Sequence, residues 1–320
     1  MLPSPPATDQ HAGFRRALLD GLRAQPKRLS SMYFYDAAGD ALFQDIMRMP
    51  EYYLTDCEHA IFASQRAAIL AAFGNRAFDL VELGAGDGLK TKVLLRYFLE
   101  QGIDVRYQPV DISNSALAQL TQTLAQELPN LAVEPLQGDY FDVLGRLPQS
   151  DARGRVILFL GANIGNYEAA EARRFLTLLR RRMHPGDRLL VGFDLKKDPQ
   201  IILDAYNDPA GITAAFNLNV LHRANRELGA DFDPAGFRHW ESYDPVTGDT
   251  RSYLVSTRAQ TVTLPGEAPI PFDAWEAVRV ELSKKYSRAD ITALGEAAGF
   301  GAPRFFEEDR GYFVDVLWEK

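Results

Sequence analysis

The residues best suited to chemistry lie in VELGAGDGLKTKVL, from Val81 to Leu94. A short apolar run carries Glu82 and opens into a turn with Gly84, Gly86 and Gly88, followed by a helical pattern. Glycine takes backbone conformations closed to other residues and lets N–H groups come close to a ligand. Turns of this kind also join strands to helices that bind nothing, so neighbouring segments must decide. Asp111 closes the next apolar run, YQPVDIS, where nucleotide-binding α/β domains present a carboxylate to both ribose hydroxyls. Asp139, in LQGDYFD, is placed to reach an adenine ring, and RVILFLGANIGNY supplies a fourth strand end on the same sheet edge.

Two features favour a methyl-donor site over a dinucleotide site. The turn reads E-L-G-A-G-D-G rather than G-x-G-x-x-G, and Glu82 beside the glycines suits a sulfonium and an amino group better than a pyrophosphate. Lys90, at the helix start, suits either a phosphate or the carboxylate of S-adenosylmethionine (SAM).

These residues need elements to hold them. Residues 13–24 and 58–73 have helical spacing, and Arg28–Leu54 between them is rich in aromatic and turn residues. From Phe78 to Phe193 strands and helices alternate: FDLVEL, a helix through Leu99, VRYQPVD, a helix over 113–128, LAVEPLQG, VILFLG, a helix over 168–183 and DRLLVGFD. That rhythm predicts an α/β fold with a parallel, doubly wound sheet. His184-Pro185-Gly186-Asp187 reads as a helix stop and turn before the fifth strand.

After Asp194 one long helical stretch, 198–228, leads through polar turns to antiparallel strands in RSYLVSTRAQTVTL. YSRADITALGEAAGF reads as an amphipathic helix, and FFEEDRGYFVDVLWEK as a terminal hairpin that completes the sheet. The expected domains are 58–194 with 284–320 for the nucleotide-binding fold, and 1–57 with 195–283 for a cap.

The 320 residues, 46% hydrophobic and 24% charged, are ordinary for a globular protein. A net charge of −8 does not favour a nucleic-acid surface and fits a small-molecule substrate. Cys57 is the only cysteine, which excludes an intramolecular disulfide and a cysteine-cluster metal site and fits a reducing, cytoplasmic setting. MLPSPPATDQHAGF has no charged segment leading into an apolar stretch, so no secretory leader is expected. No apolar run approaches the roughly 20 residues of a membrane span. No metal is expected, and the oligomeric state is left open, with a monomer plausible.

The chain resembles the histidine Nα-methyltransferases of ergothioneine biosynthesis over nearly its whole length. The segments that carry the resemblance are FYDAAGDALFQDIMRMPEYYLT, VELGAGDGLKT, PVDIS, GANIGN, DLKKDP, DAYNDPAGITAAFNLNVLHRANRELGADFD and ELSKKYS. The resemblance implies a class I (Rossmann-like) SAM-dependent methyltransferase sheet with an inserted α+β substrate-binding domain. Glu82, Gly84, Gly86, Lys90, Asp111 and Asp139 are the residues expected at the cofactor.

It also gives Tyr52 and Asn166 the substrate's carboxylate and α-amino end, with Tyr206 nearby, Gly161 lending backbone, and Tyr35 and Phe43 lining the cap. Glu281 and Ser283 match the pair that holds an imidazole through its two nitrogens. A carboxylate can accept one ring N–H while a hydroxyl serves the other nitrogen. Ser252 departs from the methionine often found there in histidine-specific members, which leaves side-chain specificity open.

The expected activity is methylation of the α-amine of a free amino acid, L-histidine first. Another amino acid or an aromatic amine is the alternative within the fold, and a silent SAM-binding regulatory protein the alternative outside catalysis. The residues also admit plainer roles. Tyr52 and Tyr53 can be core aromatics, Asn166 a helix cap and Glu281 a solvated strand residue. His222 and His239 lack metal-ligand spacing and read as structural or exposed.

Overall fold

The structure is a computed structural model that describes residues 7–147 and 153–320. The expectation about a leader therefore lies outside the described residues for 1–6. The helices are α1 (Ala7–Arg23), α2 (Ala37–Ile46), α3 (Tyr53–Phe73), α4 (Thr91–Glu100), α5 (Asn114–Glu127), α6 (Tyr140–Arg146), α7 (Ala169–Arg182), α8 (Pro199–Tyr206), α9 (Ile212–Leu228) and α10 (Arg288–Ala298). The strands are β1 (Phe78–Leu83), β2 (Val105–Asp111), β3 (Ala132–Val133), β4 (Leu136–Gln137), β5 (Arg155–Phe159), β6 (Arg188–Asp194), β7 (Phe237–Tyr243), β8 (Asp249–Ser256), β9 (Gln260–Val262), β10 (Ile270–Phe272), β11 (Ala277–Lys284), β12 (Arg304–Glu307) and β13 (Phe313–Glu319).

Two compact units result, one of Tyr53–Lys196 with Lys284–Lys320, the other of the residues up to Tyr52 with Lys197–Ser283. The divisions differ from the sequence boundaries at 57/58 and 194/195. Tyr53 begins α3, so the first turn of that helix belongs with the rest of it.

In the first unit the strands run β12-β13-β6-β5-β1-β2-β3, with β4 also on β2. β1 pairs in parallel with β2 and β5, and β5 with β6. β13 lies antiparallel between β6 and β12, so the terminal hairpin completes the sheet. All six residues of β1 are buried, as a central strand covered on both faces requires. The core on one face joins Val81, Leu83, Ile157 and Phe159 to Phe175, Leu179 and Trp318. Each such side chain contributes about 1.5–3 kcal/mol through burial. LAVEPLQG is not one strand: the proline at 135 interrupts it, leaving β3 and β4 as two-residue pairings with β2.

Asp194 ends β6 fully buried, with Lys285 Nζ 2.8 Å from its Oδ2. The Tyr53 hydroxyl donates to the same carboxylate at 2.8 and 3.0 Å. A buried charge persists when it is paired and hydrogen-bonded, and this one ties the start of α3 and the returning chain to β6.

In the second unit, β11-β8-β7 form one sheet and β9-β10 a smaller one. Its core draws Phe14, Leu18, Phe34 and Ile46 from the N-terminal segment, and Phe216, Val220, Leu254, Phe272 and Val280 from the later one. The long helix expected over 198–228 is broken into α8 and α9. Pro209 and Gly211 interrupt it, and Asp208 restarts α9 by accepting from Ile212 N at 2.9 Å and Thr213 N at 2.8 Å. α2 and β7 arise where the sequence suggested aromatic-rich and polar turns. Among the described residues no helix is long and apolar enough to cross a membrane.

Candidate active site

Because β1, β2, β4 and β5 are parallel neighbours, their carboxyl ends open at one edge of the sheet. Ligands of open α/β sheets bind there. The glycine turn is pinned to the end of β2 by Gly84 N–H donating to Val110 O at 2.8 Å. Gly86 has φ +53°, and a Cβ built on it would meet nothing within 4 Å. A backbone that favours glycine, facing open space, fits a cofactor cradle.

Glu82 lies behind this turn, 4% exposed. It accepts from the Thr91 hydroxyl at 2.7 Å and from the Tyr107 hydroxyl. Burial pushes its carboxyl up to about 7, against the pull of these two donors. Glu82 thus locks the first turn of α4 onto β1 and β2, with one lone pair on each oxygen already engaged.

Asp111, at the tip of β2, accepts from Ser113 N at 2.9 Å. Burial raises its carboxyl above the ordinary value, and the N–H groups of Ser113, Gly86 and Ile112 partly offset that rise. Asp139 is exposed at the N-cap of α6, its Oδ1 accepting from Phe141 N at 2.9 Å and Asp142 N at 3.4 Å. Asn166 is exposed at the end of a short 3-10 helix, Asn163–Asn166. It does not cap α7, whose N-cap is Glu168, with Glu171 Oε2 accepting its N–H at 3.1 Å.

Lys90 pairs with Glu58, a residue the sequence reading left unremarked in α3. Glu58 also accepts the N–H of Gly161, at 2.9 Å to Oε1 and 3.1 Å to Oε2. Helical spacing alone gave no sign of this use.

The second unit gathers its candidate residues into an aromatic run that ends at Ser283 and a separate pair, Ser252 with Glu281. Tyr35 meets Phe43 edge-on at 5.6 Å between centroids, Phe43 meets Tyr52 at 6.4 Å, and Tyr52 meets Tyr206 at 6.4 Å. The Tyr206 and Ser283 hydroxyls are hydrogen-bonded at 2.8 Å. The Ser252 hydroxyl donates to Glu281 Oε2 at 3.3 Å. Aromatic faces therefore lead to the Ser283 hydroxyl, and Glu281 stands two residues before it on β11, an arrangement that can bind a partly apolar ligand carrying N–H donors.

Sequence reasoning missed Phe216, in α9, whose ring lies 5.5 Å from Tyr35 and 5.8 Å from Phe43. Its signal was an apolar residue in a helical stretch, indistinguishable there from core. His239 has a buried side chain, with Nε2 3.4 Å from Asn217 Nδ2 and 3.8 Å from Glu241 Oε2. Burial lowers its pKa to about 4, against the attraction of Asp208, so it is uncharged at neutral pH. No group of three or more His, Cys, Asp or Glu among the described residues is arranged to hold a metal ion.

Residues 14–320 match the family described as histidine-specific, SAM-dependent methyltransferases. The chain belongs to that family. The methyltransferase is 37% identical over 300 residues to histidine N-alpha-methyltransferase of Mycolicibacterium smegmatis, covering 93% of this chain and 92% of that one. It is 36% identical over 304 residues to the protein of the same name from Mycobacterium tuberculosis, covering 95% and 94%. It also matches ergothioneine biosynthesis protein 1 of Neurospora crassa, 31% identical over 283 residues, covering 86% of this chain and 31% of that longer protein. The open glycine cradle, the Asp111 acceptor and the Lys90 ammonium at one sheet edge fit the SAM on which the family depends.

Proposed function

We propose that this methyltransferase transfers methyl groups from SAM to the α-amino nitrogen of L-histidine, giving Nα,Nα,Nα-trimethylhistidine. The observation that carries this reading is the pairing of Glu281 with Ser252 and of Ser283 with Tyr206, at the end of the aromatic run. A carboxylate and a hydroxyl two residues apart on β11 suit the two ring nitrogens of an imidazole.

SAM supplies an electrophilic methyl group on a sulfonium. Asp111 would accept the ribose hydroxyls, Asp139 would serve the adenine, and Gly84, Gly86 and Lys90 would receive the amino-acid end. Glu82 supports this surface from behind. Tyr52, Asn166 and the Gly161 backbone orient the acceptor amine, whose lone pair must be free before each transfer. Tyrosine and asparagine are poor bases at neutral pH, so their part is alignment, which supplies much of the rate in such a displacement. The rings of Tyr52 and Phe43 suit the growing cation as methyls accumulate. The single cysteine, Cys57, supports a reducing, cytoplasmic setting.

Incubation with SAM and a panel of free amino acids, read by mass spectrometry, tests the reading. Successive methyl increments on histidine are expected. Methylation of other amino acids with histidine untouched would reject the substrate and keep the chemistry. Ser252 favours including tryptophan and tyrosine in the panel, since a short side chain at that wall leaves room for a larger ring.

The cofactor assignment has its own test. Asp111→Ala removes a charged acceptor and is expected to lower SAM affinity about tenfold or more, from hydrogen bonds worth about 1.5–3 kcal/mol. The acceptor is the ionised carboxylate, and burial raises its pKa. SAM affinity of the parent should therefore weaken as the pH falls through that raised pKa, and Asp111→Asn should lose this dependence. Calorimetry at several pH values measures both, and unchanged affinity in folded Asp111→Ala would remove the ribose assignment.

A further inference from the structure

Three chain segments of the SAM-binding unit converge on Glu58. From α3 its carboxylate faces the Lys90 ammonium and the Gly161 N–H, and it is 0% exposed. β6 makes room for it with Gly192, where any Cβ would collide with Glu58 Oε1. Gly192 is the register partner of Asp315 on β13, which is also 0% exposed.

Two ionised carboxylates only accept hydrogen bonds, so neither can bond the other unless one carries a proton. Burial and the nearby charge of Glu58 push the Asp315 carboxyl well above the usual carboxylate range, and Lys90 only partly opposes them. Among the described residues no N–H or hydroxyl donor reaches either Asp315 oxygen, so a proton on one of the two carboxyls is what would let Asp315 and Glu58 hydrogen-bond. One proton between two carboxyls leaves one negative charge opposite one ammonium. Burial pulls the Lys90 pKa down, and the charge and hydrogen bond of Glu58 raise it above the usual lysine value.

We propose that Glu58, backed by Asp315, is a positioning residue that holds both the cofactor-binding Lys90 and the acceptor-binding Gly161. An ammonium has three donors, so Lys90 can keep Glu58 and still reach a carboxylate of the cofactor. The Gly161 peptide, fixed through its N–H, holds its carbonyl in one orientation. Glu58 therefore couples the two ends of the reaction without touching either ligand. The inference rests on the roles proposed above for Lys90 and Gly161.

The test measures SAM affinity by calorimetry, KM for the amino acid, kcat and thermal unfolding on the full chain. Lys90→Met serves as the control for the reading beneath, because unchanged SAM affinity in that variant would dismiss the Lys90 assignment itself. With that control positive, Glu58→Gln is expected to weaken SAM binding about tenfold and to raise KM for the amino acid. Glu58→Asp keeps the charge but retracts it by one methylene, and should fall between the two if Glu58→Gln fails to fold.

Asp315→Asn supplies an N–H donor in place of the acid O–H and should retain more SAM affinity than Asp315→Leu at equal melting temperature. A folded Glu58 variant with unchanged SAM affinity and unchanged KM would overturn the proposal. So would equal losses in Asp315→Asn and Asp315→Leu, because the donor would then be irrelevant.

Discussion

Asn166→Ala is expected to lower turnover about a hundredfold, roughly 2.7 kcal/mol of transition-state stabilisation, while SAM binding stays near that of the parent. Asn166 is exposed at the end of its 3-10 turn and caps no helix, so its removal leaves the fold with little to lose. The effect should appear in kcat at saturating amino acid, because misalignment persists after binding. Single-turnover kinetics with preformed SAM complex separates this loss from slower association. Full turnover in the variant would move the acceptor site away from this turn.

Glu281→Ala carries the second large effect and bears on specificity. If histidine is the substrate, the change leaves a buried ring N–H without its acceptor and costs about 1–3 kcal/mol in kcat/KM. Phenylalanine and leucine offer no such donor and should lose much less. Ser252→Met removes the hydroxyl that donates to Glu281 and builds an apolar wall in its place, so the preference for histidine should hold or increase. A matrix of kcat/KM values for these amino acids across parent and variants measures the difference directly. A preference for a side chain without donors that ignores Glu281 would refute the histidine assignment and leave methyl transfer intact.

The sheet edge with the glycine turn was legible because its signals are local. Glycines beside an acidic strand end occupy a few consecutive residues, the alternation of strand with helix is read along one continuous stretch, and a parallel sheet follows from them. α2 was hidden because Gly39 and the aromatics around it dilute its helical pattern, although Asp36 caps it by accepting from Gly39 N at 2.8 Å.

β7 was hidden for a different reason. His239 pairs in register with Leu254 and Glu241 with Ser252, so polar residues occupy the face where alternation should show apolar ones. Glu58, Gly161 and Asp315 are far apart in sequence, and nothing local to any of them announces the others. Tyr52, Asn166, Glu281 and Ser283 were reached through family resemblance; by type and spacing alone each had a plainer role.

The core of the unit that holds Tyr52 and Glu281 is stitched from two stretches of chain, Phe14 to Met49 and Phe216 to Val280. Neither stretch closes that core alone. Phe34 stacks edge-on against Phe216, and Asn219 Nδ2 donates to Phe34 O at 3.1 Å and to Asp36 Oδ1 at 2.8 Å. A chimera that imported residues 197–283 from a relative would therefore join half of one jigsaw to half of another, with overpacking or voids at the seam. Substrate preference in this fold must travel as a matched pair of segments, and recombination between lineages should succeed only where the residues up to Tyr52 and 197–283 are exchanged together.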